Sequence, residues 1–177
     1  MVALYSATLF VSAALLFLVQ PMFARLVLPL LGGSPSVWNT AMVFYQAVLL
    51  AGYAYAHLCT ARLGVVRHAN WHVLLVLVPL ALLPIAIPPG WTPPAYGNPE
   101  PWLLALMVVA VGAPFFAVST PSPLLQRWLA ASGHRRAADP YFLYAASNLG
   151  SLLAMLSYPL WLEPNLSSRR QTRLPRA

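Results

Sequence analysis

The side chains that could do chemistry sit on two apolar stretches of a 177-residue chain. Asn39, Gln46 and Tyr53 stand seven residues apart, and His57 follows four beyond Tyr53. At about 3.6 residues per turn, they share one face of a helix. Tyr141, Tyr144, Asn148, Ser151 and Tyr158 form a second stripe of the same kind. Amides, phenols and hydroxyls in apolar surroundings are unfavourable unless they meet a partner or a water-filled cavity. Two uses follow. One is a solute path between two helices, carried by Asn39, Gln46, Tyr53, Tyr144, Asn148 and Ser151. The other is hydrogen bonding that holds the helices together, the commoner use of such residues.

The charged and metal-binding residue types offer less. Arg25 and Arg127 each stand where a guanidinium reaches an anionic group near a membrane edge, or else snorkels to lipid headgroups, its more frequent behaviour. His68 and His72 have the i, i+4 spacing of a helical metal pair. They have no nearby cysteine and no third ligand in sight, so two ordinary histidines are expected. Glu100, Asp139 and Glu163 are the only acids. Each falls in or beside a loop, and no two make an acid–base pair. No Gly-rich phosphate loop, GxSxG or HExxH occurs. The expectation is a chain with no catalytic residue, no metal and no cofactor. Cys59, the single cysteine, has no intramolecular disulfide partner.

The elements that must position these residues are set by composition. Sixty per cent of the chain is hydrophobic and 7% is charged, against about 25% charged in soluble domains. A small soluble domain leaves too much surface in water to hide this much apolar chain, whereas a bilayer solvates it. A crossing needs about 20 mainly apolar residues. Five stretches qualify, at about 4–23, 37–57, 71–87, 102–120 and 140–162. They give an all-α, polytopic transmembrane bundle over residues 1–164, followed by a polar, Arg-rich tail at 165–177. Met1–Ala24 has no basic start, so it reads as the first span and not as a signal peptide.

Between the spans the breaks are explicit. Gly32-Gly33-Ser34-Pro35-Ser36 marks a turn, with Ser36 placed to cap the next helix. Arg62, Arg67 and His68 suggest a short basic loop. The proline-dense run 88–101 is neither helix nor strand. Gly112, Pro114, Pro121 and Pro123 interrupt the fourth span, either exposing backbone to a solute or making a simple kink satisfied by neighbours. Leu124–Ala131 reads as a short amphipathic piece. Ala146, Gly150 and Ala154 form a small-residue stripe suited to close helix packing. All six tryptophans (Trp38, Trp71, Trp91, Trp102, Trp128 and Trp161) fall near expected span ends, where an amphipathic ring is favoured.

The net charge of +7 comes from ten arginines and no lysine. They are scattered between apolar blocks with no basic face, so no nucleic-acid partner is expected. Arg62, Arg67, Arg127, Arg135 and Arg136 share one side of a five-span topology, and only Arg25 precedes the tail on the other. This favours a cytoplasmic amino terminus, although the four tail arginines then lie on the far side. A weak internal echo links Pro21-Met-Phe-Ala-Arg25 with Pro123-Leu-Leu-Gln-Arg127, as inverted repeats of transporters would.

Three stretches carry a family likeness. LFVSAALLFLVQPMFARLVLPLLGGSPSVWNTAMVFYQAVLLAGYAYAHL (Leu9–Leu58), PLLQRWLAASGH (Pro123–His134) and DPYFLYAASNLGSLLAMLSYPLWLEP (Asp139–Pro164) resemble bacterial fused membrane/spermidine synthase-like proteins. In that family a major-facilitator-like membrane domain precedes an aminopropyltransferase-like domain with a Rossmann-like fold. The resemblance covers only the amino-terminal part of the membrane half, and no position here matches a catalytic residue of the enzyme half. It implies a non-catalytic membrane domain in the bacterial inner membrane, built like the first half of a major-facilitator-type fold and cut from a longer fusion. Two alternatives stay open. One is a small-solute or polyamine-related transporter subunit acting as an oligomer. The other is an anchor or partner for a separate synthase-like protein. The spans hold no Asp or Glu for a polyamine, leaving only weak cation–π contacts from Tyr45, Tyr53 or Tyr144.

Overall fold

The computed structural model describes residues 2–81, 83 and 85–165. The described residues form four helices: α1 (Val2–Leu31), α2 (Pro35–Ala81), α3 (Glu100–Ala131) and α4 (Tyr141–Ser157). A 3-10 turn (Arg135–Ala138) precedes α4, and a π turn (Tyr158–Leu162) extends it. No strand occurs among the described residues, so the fold is all-α. Helices α1, α2 and α3 are each long and apolar enough to cross a membrane.

The helix ends differ from the sequence reading in instructive ways. Helix α1 continues past Arg25 to Leu31 with Pro21 and Pro29 inside it. Ser34, and not Ser36, caps α2: its Oγ accepts from the Val37 amide at 3.4 Å. Pro35 starts the helix because its φ is pre-set and its missing N–H is not needed there, which moves the cap one residue upstream of it. From residue 166 onward the expected tail lies outside the described residues.

Helix α2 contains the largest departure. Its 47 residues run straight through the expected basic loop, broken only at Gly64, with φ 73° and ψ 169°. Only glycine adopts that conformation readily. Tyr55 and His72 are 17 residues apart, which would separate them by about 25 Å along one helix. Their rings are 6.0 Å apart, so the chain folds back on itself. The arms 35–63 and 65–81 form a helical hairpin with Gly64 at its tip. The second arm is described as far as Ala81, and of the stretch expected to continue it residues 83 and 85–87 are not helical: Ile85 and Ile87 pack on the core in irregular backbone.

Helix α3 runs through four potential breaks. A π turn at Val108–Gly112 carries the chain past Pro114, relieving the clash a proline ring makes with the carbonyl four residues back. Pro121 deprives the Ala117 carbonyl of its helical donor, and the Thr120 hydroxyl donates to that oxygen instead at 2.9 Å. The amphipathic piece 124–131 is therefore the last turns of α3 and not a separate element. Leu103, Leu106, Met107, Val111 and Phe115 of α3 are all at most 1% exposed, which makes α3 the centre of the bundle.

Contacts fix the directions. Gly150 of α4 lies against Phe10 of α1, and Tyr158 donates to the Pro21 carbonyl at 3.2 Å, so α1 and α4 run parallel. Tyr45 meets Phe115 and His57 meets Arg127, so the first arm of α2 runs parallel to α3. Leu9 packs with Leu125 and Leu129, whereas Phe23 and Val27 pack with Leu103, so α1 and α3 are antiparallel. Five helical segments thus alternate in direction. Large apolar side chains such as Leu50, Val66, Leu77, Leu153 and Leu160 stay more than 45% exposed. A surface of this kind suits lipid and not water.

Candidate functional site

The bundle leaves a cavity of about 370 Å³ between its helices. Helix α1 contributes Ser12 and Gln20, α2 contributes Gln46 and Tyr53, α3 contributes Ser119, and α4 contributes Ser147. Each helix brings a polar residue because its exposed apolar face is turned to the outside, leaving the few polar positions for the inside. Ser119 donates to its own helix, to the Phe116 carbonyl at 2.7 Å, so its oxygen is left as an acceptor toward the cavity. The side chains of Gln20 and Gln46 make no hydrogen bond among the described residues. No charged side chain lines the space among the described residues.

A second cavity of about 220 Å³ continues toward the Leu31–Pro35 turn. Gln20, Met42 and Tyr45 line both. The Tyr45 ring therefore stands in the wall between them, packed against Phe44 and Phe115 with its hydroxyl buried and unpartnered.

The structure divides the residues singled out in the sequence. Gln46 and Tyr53 come together at the larger cavity. Asn39, on the same stripe, is exposed and lines neither cavity. On α4, Tyr144 donates to Gln126 Oε1 at 3.0 Å, and Gln126 Nε2 donates to Ser122 Oγ at 3.2 Å. This relay ties α4 to α3. Ser151 donates to the Asn148 carbonyl at 2.9 Å within its own helix, and the Asn148 side chain is exposed. It is Ser147, one residue away from Asn148, that reaches the cavity. Gln20 was not on either stripe. As the single amide of an uncharged apolar segment, it carried the signal that an unexplained polar group in hydrocarbon always carries.

Arg25 and Arg127 lie at opposite ends of the bundle and do not share an anion. Arg25 Nη1 donates to the Glu163 carbonyl at 3.4 Å, and Arg127 Nη2 meets His57 Nδ1 at 3.2 Å. Both arginines thus bind the protein itself.

A separate polar cluster sits at the Gly64 hairpin. His68 is fully buried, its Nδ1 2.7 Å from Thr60 Oγ1. The Thr60 hydroxyl donates its one proton to the Ala56 carbonyl at 2.6 Å. The Nδ1 of His68 is therefore the protonated nitrogen. Its Nε2 is left buried without a partner. His72 stacks edge-on to His68 at 6.3 Å and to Trp128 at 6.2 Å. No group of three His, Cys, Asp or Glu side chains that could hold a metal occurs among the described residues.

No known family model matches the chain, and no curated protein or solved structure matches it either.

Proposed function

We propose that the chain is a non-catalytic, multi-pass membrane domain that crosses the bilayer five times with its arginine-rich end in the cytoplasm. The observation that carries this reading is the alternating direction of five apolar helical segments. With that alternation, the amino terminus, the Gly64 hairpin and the loop after α3 fall at one end. Arg62, Arg67, Arg127, Arg135 and Arg136 collect there, and Arg25 stands at the other. Such asymmetry orients membrane proteins with the basic end inward. The likeness of Leu9–Leu58, Pro123–His134 and Asp139–Pro164 to the membrane half of bacterial fused membrane/spermidine synthase-like proteins supports the same architecture, the first half of a major-facilitator-type bundle.

Cysteine labelling tests it. In a Cys59→Ser background, single cysteines replace Ala61, Thr92 and Ala138, all exposed. A membrane-impermeant maleimide applied to intact bacterial cells should label the Thr92 variant alone, and all three after lysis. Labelling of Ala61→Cys or Ala138→Cys from outside would overturn the topology.

A second reading, a small-solute transporter subunit, is favoured by one specific observation: the open cavity between α1, the first arm of α2, α3 and α4, to which each contributes a polar side chain. In transporters built from repeats, the solute site lies near the midplane between repeats.

A further inference from the structure

We propose that the larger cavity binds an uncharged polyhydroxy solute about the size of a six-membered ring. This rests on the transporter reading and specifies its substrate class. The volume, about 370 Å³, falls in the usual range of roughly 300–1,000 Å³ for small-molecule sites. The chemistry of the wall narrows the class further.

Gln20 and Gln46 each present an amide with two N–H donors and two acceptor lone pairs. Neither amide is spent on the protein. Gln20 is half-buried and Gln46 is exposed; in the apolar medium of a bilayer an unpartnered amide costs several kcal/mol, which a solute that donates and accepts hydrogen bonds would recover. Ser12, Ser119 and Ser147 add hydroxyls from three helices, Ser119 as an acceptor because its proton is committed to Phe116. Donors and acceptors thus converge from four helices, as a solute with several hydroxyls requires.

Charge is excluded by the same wall. Among the described residues, no Asp, Glu, Lys or Arg lines the cavity. A cation or an anion entering it would lose its hydration with no countercharge to replace it. A polyamine is disfavoured on this ground, an organic acid equally. Tyr53 supplies a ring on which the C–H face of a cyclic polyol packs. The wall therefore offers an apolar side, a hydrogen-bonding rim and no charge.

The test is equilibrium dialysis of radiolabelled myo-inositol against the full chain in phosphatidylethanolamine/phosphatidylglycerol nanodiscs, with putrescine as the charged comparator. Saturable myo-inositol binding is expected. Gln46→Leu and Gln20→Leu should each weaken it at least tenfold, whereas Asn39→Leu, outside the cavity, should leave it unchanged. Excess putrescine should not compete. Absence of saturable myo-inositol binding by the wild-type chain would overturn the inference, as would equal binding in both glutamine variants. Competition by putrescine would overturn the exclusion of charge. Cysteine labelling of the same protein separates the two ideas. If its pattern holds and binding fails, the solute class falls and the five-crossing architecture stands.

Discussion

Gly150→Ala is expected to separate the two parallel helices α1 and α4. A methyl group built on Gly150 would press on the Phe10 carbonyl oxygen, and would lie 3.0 Å from the Phe10 carbonyl carbon and 3.1 Å from its Cα. Ordinary carbon–carbon contacts sit at about 3.5–4.0 Å, so the methyl intrudes by roughly 0.5–1 Å. Every atom it meets is backbone, so no side chain can swing aside. The helices themselves must part, loosening the Leu9–Leu143 packing and the bond from Tyr158 to the Pro21 carbonyl. Overpacking of this kind costs about 1–3 kcal/mol, or roughly five- to 150-fold in the folded-to-unfolded ratio. The assay is denaturant unfolding of the detergent-solubilised chain, followed by circular dichroism and tryptophan fluorescence. Leu152→Ala on the outer face, where Leu152 is 53% exposed, serves as the comparison and should shift the midpoint little. If Gly150→Ala unfolds with the wild-type midpoint, the close approach of α1 and α4 is wrong, and with it the parallel pairing that sets the five-segment alternation.

Three further outcomes follow from single positions. Gly64→Ala places a Cβ in backbone that only glycine adopts readily, and should destabilise the chain by about 1–3 kcal/mol; unfolding midpoints measure it, and no change would mean that the hairpin tip lies elsewhere. Thr120→Val removes the donor that replaces the amide lost at Pro121, and should cost about 1–3 kcal/mol by orphaning the Ala117 carbonyl; the penalty should shrink in a Pro121→Ala background, and an equal penalty in both would refute the compensation. Thr60→Val removes the hydroxyl that accepts from the buried His68 Nδ1–H, and should cost about 1–3 kcal/mol by orphaning that donor; unfolding midpoints measure it, and an unchanged midpoint would refute the bond.

Much of the architecture was legible because membrane helices write themselves in composition. Uninterrupted apolar runs, the Gly-Gly-Ser-Pro break and the proline-dense stretch at 88–101 placed most helix ends within a turn or two. Gly64 was harder to read, because Arg62, Arg67 and His68 together looked like a solvated loop. A single residue at positive φ suffices to reverse the chain, so both arms stay helical up to the turn and His68 is packed inside. The site was half legible for a related reason. Helical periodicity put Gln46 and Tyr53 on one face, and both line the larger cavity, but it cannot say how wide the neighbouring helix is. Asn39 lies two turns before Gln46, beyond the end of the cavity. The α4 stripe failed by one residue: rotation of α4 against α1, set by Gly150 meeting Phe10, turns Ser147 inward and leaves Asn148 outside. Such rotations depend on close backbone contacts between helices distant in sequence, and no local pattern encodes them.

The internal echo gains a physical meaning from this geometry. Pro21-Met-Phe-Ala-Arg25 lies on α1 and Pro123-Leu-Leu-Gln-Arg127 on α3, two helices that run antiparallel, with Arg25 and Arg127 at opposite ends. That is the placement an inverted repeat demands. The residues immediately before the two echoed prolines are Gln20 and Ser122, and both line the larger cavity. In each helix the proline withholds a backbone donor, while the residue before it keeps helical backbone. The polar side chain at that preceding position lines the cavity, from two helices of opposite direction. The cavity is accordingly bordered by the residues next to the echoed segments, with Gln46 and Tyr53 on a third side. The short repeat thus adjoins the larger cavity, which all four helices line.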